Sequence, residues 1–283
     1  MNISRTFHRI GRGCLLPVAL LSLTPVSGTA QTLTQDWLGP SNVSLELNRP
    51  FFADRTDFTA FTGLGYLSGM FGSGRTRFLV ELPFARGGID SEGFSSSSSM
   101  IGSPFVGVAL TPTNGERGVS GSVGVRIPVP EGFVFGEDDF APAIGGTGDP
   151  DRLEAFLTET VTLSGALRFE RPVGETVTIR GQVDGDLLIF TDSGGGDSTE
   201  AFLGWGGLVR WDGDAAFALG QLTGRYLATE DVDDRVRHQL QGQGGWTFGS
   251  VQPWIGVRVP VQGNLTEDVD WTLLLGVQVR LGS

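Results

Sequence analysis

The sequence predicts an all-β protein, a closed antiparallel transmembrane β-barrel of about 12 strands. Apolar and polar residues alternate over many segments, which is typical of strands with one apolar face. Most of these segments have the 9–11 or more residues that a tilted membrane strand needs. Glycine is abundant, at 44 of 283 residues, and each interior glycine costs a helix about 1 kcal/mol relative to alanine. An all-helical protein is therefore excluded.

The first thirty residues have the pattern of a secretory signal peptide. A basic region over 5–12 precedes a short apolar core over 14–23, and Gly28 and Ala30 occupy the −3 and −1 positions of a cleavage site. The alternative is a membrane-anchoring helix, but the apolar core is shorter than the roughly 20 residues that span hydrocarbon.

Three parts are therefore predicted along the chain. They are a cleaved signal peptide at 1–30, a short N-terminal periplasmic segment at 31–41 and an outer-membrane β-barrel at 42–283. We expect the protein in the cell outer membrane after secretion through the periplasm. Its expected partners are the barrel-assembly machinery, outer-membrane lipid and lipopolysaccharide, together with an unidentified small-molecule solute.

The alternation is clearest in the last segment, where every second residue from Val269 to Leu281 is apolar and most of the others are polar or small. An even number of such segments is predicted, which fits closure of a barrel. The twelve segments are 42–49, 57–67, 75–84, 101–110, 119–129, 160–169, 176–190, 199–211, 214–228, 235–248, 251–261 and 269–281. Pairing of the first segment with the last would close the barrel.

The connections between these segments alternate in length. Longer links rich in serine, glycine and acidic residues alternate with shorter ones. The longer links are 50–56, 85–100, 130–159, 191–198, 229–234 and 262–268. Long loops on one side and tight turns on the other are typical of an outer-membrane barrel with both termini in the periplasm. A soluble β-sandwich would also alternate, but its strands usually run to about 5–6 residues. The length of the predicted strands favours the barrel.

If the apolar phase faces lipid, the other phase lines the lumen with arginine, glutamine and a few acidic residues. The predicted pore-lining residues are Arg75, Arg77, Glu81, Arg126, Arg168, Arg180, Gln182, Asp184, Asp186, Arg210, Arg225, Arg235, Arg237, Gln239, Gln241, Arg258, Gln278 and Arg280. Eleven are arginines, and the acidic residues of the same phase number five once Glu46 and Asp270 are included.

Two interpretations of these arginines remain open. Guanidinium groups that project into a narrow pore select anions or polar groups. Alternatively, they brace the barrel by pairing with acidic side chains or anchor a loop folded inward. All 20 basic residues are arginine and the net charge is −12. This charge argues against nucleic acid as a partner, because phosphate affinity needs clustered positive charge.

The third long loop, residues 130–159, is the best candidate for a plug or constriction. Asp149 followed by Pro150 resembles a helix N-cap with proline in the first turn. Leu153 and Phe156 then form a small apolar stripe at helical spacing. We expect a short helix here, and the sequence leaves open whether it enters the pore.

Catalysis and cofactors are not expected. With one cysteine in the chain, neither a disulfide framework nor a cysteine-rich metal site is predicted. After signal removal His238 is the remaining histidine, and it lies on the predicted lipid-facing phase with no serine at adjacent strand positions. A barrel enzyme with a histidine general base is therefore a minor alternative, and we predict no enzyme, cofactor or metal.

Three stretches carry a resemblance to small Gram-negative outer-membrane barrels of the transporter type, including those grouped with the meta-pathway of phenol degradation. They are Gly102–Val108, Gly124–Pro130 and the closing strand Trp271–Leu281. The resemblance implies passage of small molecules across the outer membrane and names no ligand. One departure is the end of the chain at Leu281-Gly282-Ser283, where such barrels usually end in an aromatic residue.

The leading functional hypothesis is a channel or transporter that passes small polar or anionic molecules through an Arg/Gln-lined lumen. The alternative is a non-conducting outer-membrane barrel that acts as a surface or envelope structural or adhesion protein. A twelve-stranded lumen is narrow enough for large side chains to fill, so a continuous, wet lumen is the observation that separates the two.

Overall fold

The structure is a computed structural model. It describes residues 39–52, 58–59, 62–91, 94–112, 118–130, 134–136, 140–191, 199–228, 236–262 and 269–282. The predicted signal peptide at 1–30 and the candidate lumen residue Arg235 lie outside these ranges, so both stay predictions.

Fourteen β-strands occur in the described residues, and each is numbered here in chain order. They are β1 (Asn42–Phe52), β2 (Gly63–Phe71), β3 (Thr76–Ser91), β4 (Phe94–Ile101), β5 (Phe105–Leu110), β6 (Val119–Arg126), β7 (Val134–Gly136), β8 (Thr160–Val173), β9 (Val177–Phe190), β10 (Thr199–Asp212), β11 (Ala216–Leu227), β12 (Val236–Trp246), β13 (Val251–Gln262) and β14 (Val269–Arg280). An α-helix, α1 (Phe140–Gly148), and a 3₁₀ helix (Pro150–Phe156) lie between β7 and β8.

Twelve of the strands form a closed antiparallel barrel, as predicted. Their order around the barrel is β2, β1, β14, β13, β12, β11, β10, β9, β8, β6, β5 and β3, and β3 pairs again with β2. The first and last strands pair from Asn42 opposite Arg280 to Phe52 opposite Val269. The predicted closure between the first and last segments is therefore confirmed.

Two strands extend the sheet beyond the barrel, which the sequence did not predict. The first part of β3 pairs with β5, whereas its second part pairs with β4, and β4 pairs with β7. Residues 85–100 were expected to form a long loop, and that expectation was wrong. The five consecutive serines of β4 (Ser95–Ser99) show no alternation of apolar and polar residues, so the strand left no signal.

The second strand also lies several residues later than predicted. The segment 57–67 was expected, and the observed strand is Gly63–Phe71. The glycines of this strand have no side chain to mark a face, so they interrupt the alternation of apolar and polar residues. A Cβ built on Gly65 would lie 2.0 Å from the Phe84 ring of β3, so a larger residue there would displace this ring from its position over the neighbouring strand.

The connections sort onto two ends of the barrel. Short connections join β2–β3, β5–β6, β8–β9, β10–β11 and β12–β13, and the described residues at both chain ends lie on that side, which we call the short-turn end. The connection from β6 to β8, which contains the two helices, starts from the opposite, long-loop end. The predicted placement of the connections on two ends is therefore confirmed, but their lengths do not alternate strictly, because eight residues join β5 to β6 and six join β13 to β14.

Side chains alternate between an apolar exterior and a polar interior. On β8, Leu163 and Leu167 are 45% and 58% exposed, whereas Ser164 and Arg168 are 3% and 2% exposed. Exposed large apolar residues recur in this way on all twelve barrel strands. An apolar exterior band with a polar interior is the arrangement of transmembrane barrels.

Apolar side chains also fill part of the interior near the short-turn end. One cluster contains Met70, Leu79 and Ala109. A second contains Phe217 and Leu219, with Trp254 packed against it. Near its short-turn end the lumen therefore contains apolar clusters beside charged residues, since Leu208 of the second cluster lies opposite Arg180 in the sheet register.

Candidate functional site: a plug bound across the lumen

Residues 140–156 fold into the barrel, and we call this segment the plug. Its α1 helix packs through Ala141 and Ile144 against Leu64 of the barrel strand β2 and Met100 of the added strand β4, with Phe156 of the 3₁₀ helix in the same cluster. Among the described residues, no helix is both long and apolar enough to cross a membrane. The apolar face of α1 is buried against the barrel interior, which explains why the segment enters the lumen.

Two glycines permit the close packing of the plug. A Cβ on Gly145 of α1 would lie 2.3 Å from Cγ of Phe156, and one on Gly102 of the wall would lie 2.2 Å from the carbonyl oxygen of Ala155. Real Cβ contacts essentially never come this close. The same wall segment donates a backbone hydrogen bond from Ser103 N–H to the Ala155 carbonyl, at 2.7 Å.

Asp149 joins the two helices of the plug and accepts hydrogen bonds from several wall residues. Arg258 Nη1 on β13 donates to its Oδ1 at 2.7 Å, and Tyr66 Oη on β2 and Asn48 Nδ2 on β1 donate to its Oδ2 at 3.0 and 3.3 Å. Arg152 of the plug adds two contacts at 2.9 and 3.0 Å. Burial alone would raise the pKa of Asp149, but the two arginines and the Tyr66 hydroxyl outweigh it and hold the pKa below its usual 3.8.

Arg152 faces the acidic side of the wall. It forms ion pairs with Glu46 on β1 and with Glu81 on β3, the latter at 3.3 Å. Its guanidinium carbon lies 3.3 Å from the centre of the Tyr66 ring, which adds a cation–π interaction. Burial acts to lower the pKa of Arg152, but Glu46 and the other acidic neighbours raise it well above its ordinary value, so this side chain stays charged.

Glu154 contacts two arginines on separate strands. Its Oε2 accepts a hydrogen bond from Arg225 Nη2 on β11 at 2.9 Å, and its Oε1 lies 3.5 Å from Arg126 Nε on β6. Arg126 also donates to Glu81 at 2.7 Å, and Arg225 donates to Asp186 of β9 at 2.9 Å. The carboxylate of Glu154 therefore joins two ion pairs of the wall into one network.

Asp151 contacts neutral donors instead. Thr223 Oγ1 on β11 donates to it at 2.8 Å, and Gln239 Nε2 on β12 donates at 2.9 Å. Burial raises the pKa of Asp151 above its usual 3.8, and the repulsion from Asp149 adds to this effect, while Arg258 opposes it. The surroundings therefore favour the charge of Asp151 less than the charge of Asp149.

The plug contacts opposite sides of the barrel. β13, which binds Asp149 through Arg258, and β6, which binds Glu154 through Arg126, are six positions apart in the ring of twelve strands. A segment held by polar side chains on both sides obstructs the lumen at that level.

The predicted lumen residues fall into groups by exposure. The buried ones are Glu81, Arg126, Arg168, Arg180, Gln182, Asp186, Arg225, Gln239, Gln241 and Arg258. The half-buried ones are Arg77, Asp184, Arg210, Arg237 and Gln278, whereas Arg75 and Arg280 are exposed. Arg75 lies in the turn between β2 and β3, and Arg280 is the last residue of β14. That these side chains line a conducting pore stays a prediction.

Several predicted lumen residues contact one another between the plug and the short-turn end. Arg168 donates to Gln182 at 2.7 Å, and Arg258 donates to Gln241 at 3.2 Å. Arg180 pairs with Glu170 of β8 at 2.8 Å. Glu170 was not a predicted lumen residue, because the predicted strand ended one residue before it.

Other residues of the site were also missed. Tyr66 lies on the strand whose two faces are mixed, so no alternation marked it as inward. Asn48 and Thr223 are polar residues of ordinary strand segments, and only their contacts with the plug distinguish them. The Asp149-Pro150 pair did mark the 3₁₀ helix, although the Asp149 side chain makes no capping hydrogen bond because it binds the wall.

His238, the residue of the minor enzyme alternative, packs edge-on against the Trp205 ring with 5.6 Å between ring centres. Trp205 belongs to the exposed apolar set. Within the described parts of the chain, no group of three histidine, cysteine or acidic residues is arranged to hold a metal ion.

Comparisons with known proteins give a fold. No protein-family model and no curated protein sequence matches the chain. Among solved structures, an outer membrane channel from Pseudomonas putida F1 superposes with a TM-score of 0.56 at 11% identity, covering 85% of this chain and 95% of that one. LpxR from Salmonella typhimurium superposes with a TM-score of 0.52 at 9% identity, covering 85% and 100%.

The fold is that of an outer-membrane β-barrel. The closed ring of twelve antiparallel strands and its apolar exterior agree with this assignment. At such low sequence identity the similarity extends to the fold alone, so the role of the lumen depends on the residues described above.

Proposed function

We propose that the protein is an outer-membrane channel for small polar or anionic molecules and that the plug closes its lumen. The observation that carries the proposal is the way the plug is held. Its acidic residues Asp149 and Glu154 bind Arg258, Arg225 and Arg126 of the wall. When these side-chain contacts break, the same arginines face an open lumen, where they favour anions.

The construction of the plug supports its release as a unit. It contacts the described wall mainly through side chains, and it pairs with no barrel strand. Helix α1 contains Gly145, Gly146 and Gly148 among nine residues, and glycine is among the poorest helix formers. The helix therefore depends on its contacts in the lumen more than on its own helical propensity.

The exterior supports the location that the proposal requires. Leucine, valine and aromatic side chains are exposed around the barrel, and such an apolar surface is covered by lipid in a membrane. We expect the protein to reach the outer membrane by secretion through the periplasm and to act there as a channel without enzymatic activity.

Planar-bilayer conductance tests the proposal. The full chain is expressed with export, purified from the outer membrane in detergent and reconstituted beside a variant in which a short Gly/Ser linker replaces residues 140–156. We expect rare openings of the parent protein and steady openings of the plug-deleted variant, with a reversal potential that shows anion preference in a salt gradient.

Arginine replacements identify the groups that set selectivity. In the plug-deleted protein, Arg126→Gln and Arg258→Gln should shift the reversal potential toward cations. Arg171→Gln is the matched control, because Arg171 is an exposed residue at the short-turn end of β8. Electrical silence from correctly folded plug-deleted protein would refute the channel and would support a structural role for the barrel.

A further inference from the structure

One sector of the wall presents only hydrogen-bond donors to the plug carboxylates. It consists of five inward residues on three adjacent strands, and we call it the donor sector. Its members are Thr223 and Arg225 of β11, Arg237 and Gln239 of β12, and Arg258 of β13. These three strands contain no acidic residue over their described lengths, 216–227, 236–246 and 251–262.

The register places these donors side by side. Arg225 lies opposite Arg237, and Thr223 lies opposite Gln239. Neighbouring strands are about 4.8 Å apart, and alternate residues along a strand are about 7 Å apart. The donor sector is therefore a preformed array of cations and neutral donors on one side of the lumen.

Three plug carboxylates occupy this array in the closed barrel. Asp149 accepts a hydrogen bond from Arg258 at 2.7 Å, and Glu154 accepts one from Arg225 at 2.9 Å. Asp151 accepts hydrogen bonds from Thr223 and Gln239 at 2.8 and 2.9 Å. Arg237 is half-buried beside Arg225 and makes no ion pair or hydrogen bond with any residue that the structure describes. The sector thus retains one cation that forms no ion pair with the plug, and the negative charges of Asp151 and Asp149 act on it only from a distance.

We propose that the donor sector is a binding site for solutes that carry two or more carboxylates and that the plug occupies it as a tethered competitor. This inference rests on the proposed channel function and deepens it by assigning a solute class. A free polycarboxylate makes the same charge-assisted bonds as Asp149 and Glu154. It also reaches Arg237, which gives it a contact that the plug lacks.

Charge balance supports a carboxylate rather than a neutral solute. Release of the plug removes three carboxylates and the single cation Arg152 from the lumen. Among the described residues of the wall, Arg258 then keeps its hydrogen bond to the neutral Gln241, and Arg225 keeps its ion pair with Asp186. In the open lumen these guanidinium groups have fewer acidic partners, so the open state favours a solute that restores negative charge at this sector.

Calorimetric titration with citrate tests the site directly. The purified full-length protein in detergent is compared with the variant Asp149→Asn/Asp151→Asn/Glu154→Gln, in which the tethered competitor is neutral. We expect the variant to bind citrate at least about tenfold more tightly than the parent protein. Adding Arg225→Gln and Arg258→Gln should then weaken citrate binding by at least about tenfold, whereas Arg171→Gln should leave it unchanged. Glycerol is the neutral control and should not bind.

A second measurement covers the case in which the neutralised variant does not fold. Ala155 is a fully buried residue of the plug. The natural cysteine, Cys14, lies in the predicted signal peptide. In the variant Ala155→Cys, citrate should raise the rate of maleimide labelling about tenfold, and glycerol should not change it. Ala109→Cys, at a fully buried wall position, is the matched control and should stay unlabelled.

The outcomes separate the two proposals. The carboxylate site is overturned if the arginine replacements leave citrate binding unchanged, or if citrate does not change the labelling of Ala155→Cys. Either result holds even if the plug-deleted barrel conducts. Arginine-dependent citrate binding together with a silent plug-deleted barrel supports the site and refutes the channel.

Discussion

Asp149 is the residue whose replacement should release the plug most readily. Its carboxylate accepts hydrogen bonds from Arg258, Arg152, Tyr66 and Asn48. The variant Asp149→Asn has nearly the same shape but loses the negative charge. It therefore leaves the buried Arg258 guanidinium without its acidic partner, while the rest of the plug is unchanged.

The expected effect is large. Removing one partner of a buried ion pair costs about 3–5 kcal/mol, and each 1.4 kcal/mol corresponds to about a tenfold change in an equilibrium. Asp149→Asn should therefore raise the population of released plug about a hundredfold to a thousandfold or more. Because Arg258 is one of two arginines on this carboxylate, Arg258→Gln alone should have a smaller effect.

Maleimide labelling of Ala155→Cys measures this population. The labelling rate should rise with Asp149→Asn, and channel openings should become more frequent in parallel. Asp270→Asn makes the same chemical change at an exposed position of β14 and should leave the rate unchanged. A change below about threefold for Asp149→Asn, or an equal change for Asp270→Asn, would show that the ion pair does not hold the plug.

Three further predictions follow from the same contacts. Burial raises the pKa of Asp151, so the Asp151 carboxyl holds its proton more tightly in the closed plug than in the released plug. The contribution of this proton to closure is therefore lost as pH rises from about 3.8 through the raised pKa. Asp151→Asn should flatten the pH dependence of Ala155→Cys labelling over that interval, and an unchanged pH dependence would contradict this reasoning. Gly145→Ala places a methyl group against Phe156 and should raise labelling of Ala155→Cys about tenfold or more, so unchanged labelling would show that the helices can separate. Met70→Ala removes a fully buried side chain and should lower the free energy of unfolding by about 2–5 kcal/mol, and denaturant unfolding should show a smaller loss for Leu222→Ala, which is 49% exposed.

Much of the barrel was predictable because an amphipathic strand has a simple signature. The segments 176–190, 199–211 and 269–281 match β9, β10 and β14 within one residue at either end. Their side chains alternate between lipid and lumen, and a period of two is visible in the sequence whatever the strand pairs with. The same alternation marked Arg126, Arg225 and Arg258 as inward residues.

The failures have a common cause, which is the lack of side-chain contrast. The serine-rich strand β4 has no apolar face, and the glycines of β2 mark neither face. The inward orientation of Tyr66 and the addition of β4 to the sheet depend on pairing with β3, and the addition of β7 depends on pairing with β4. Pairing between strands is a non-local choice that a local pattern does not contain.

The sequence by itself determined the class of the protein: a barrel with an apolar exterior, an arginine-rich interior phase and a third loop able to form a short helix. Only the tertiary structure decided that this loop enters the lumen and that Asp149, Arg152 and Glu154 bind the wall. The physical reason is that alternation is a property of neighbouring residues, whereas each plug contact joins a loop residue to a strand distant in the chain. Such contacts form only when the closed barrel brings charges of opposite sign together in an interior where unpaired charges are costly.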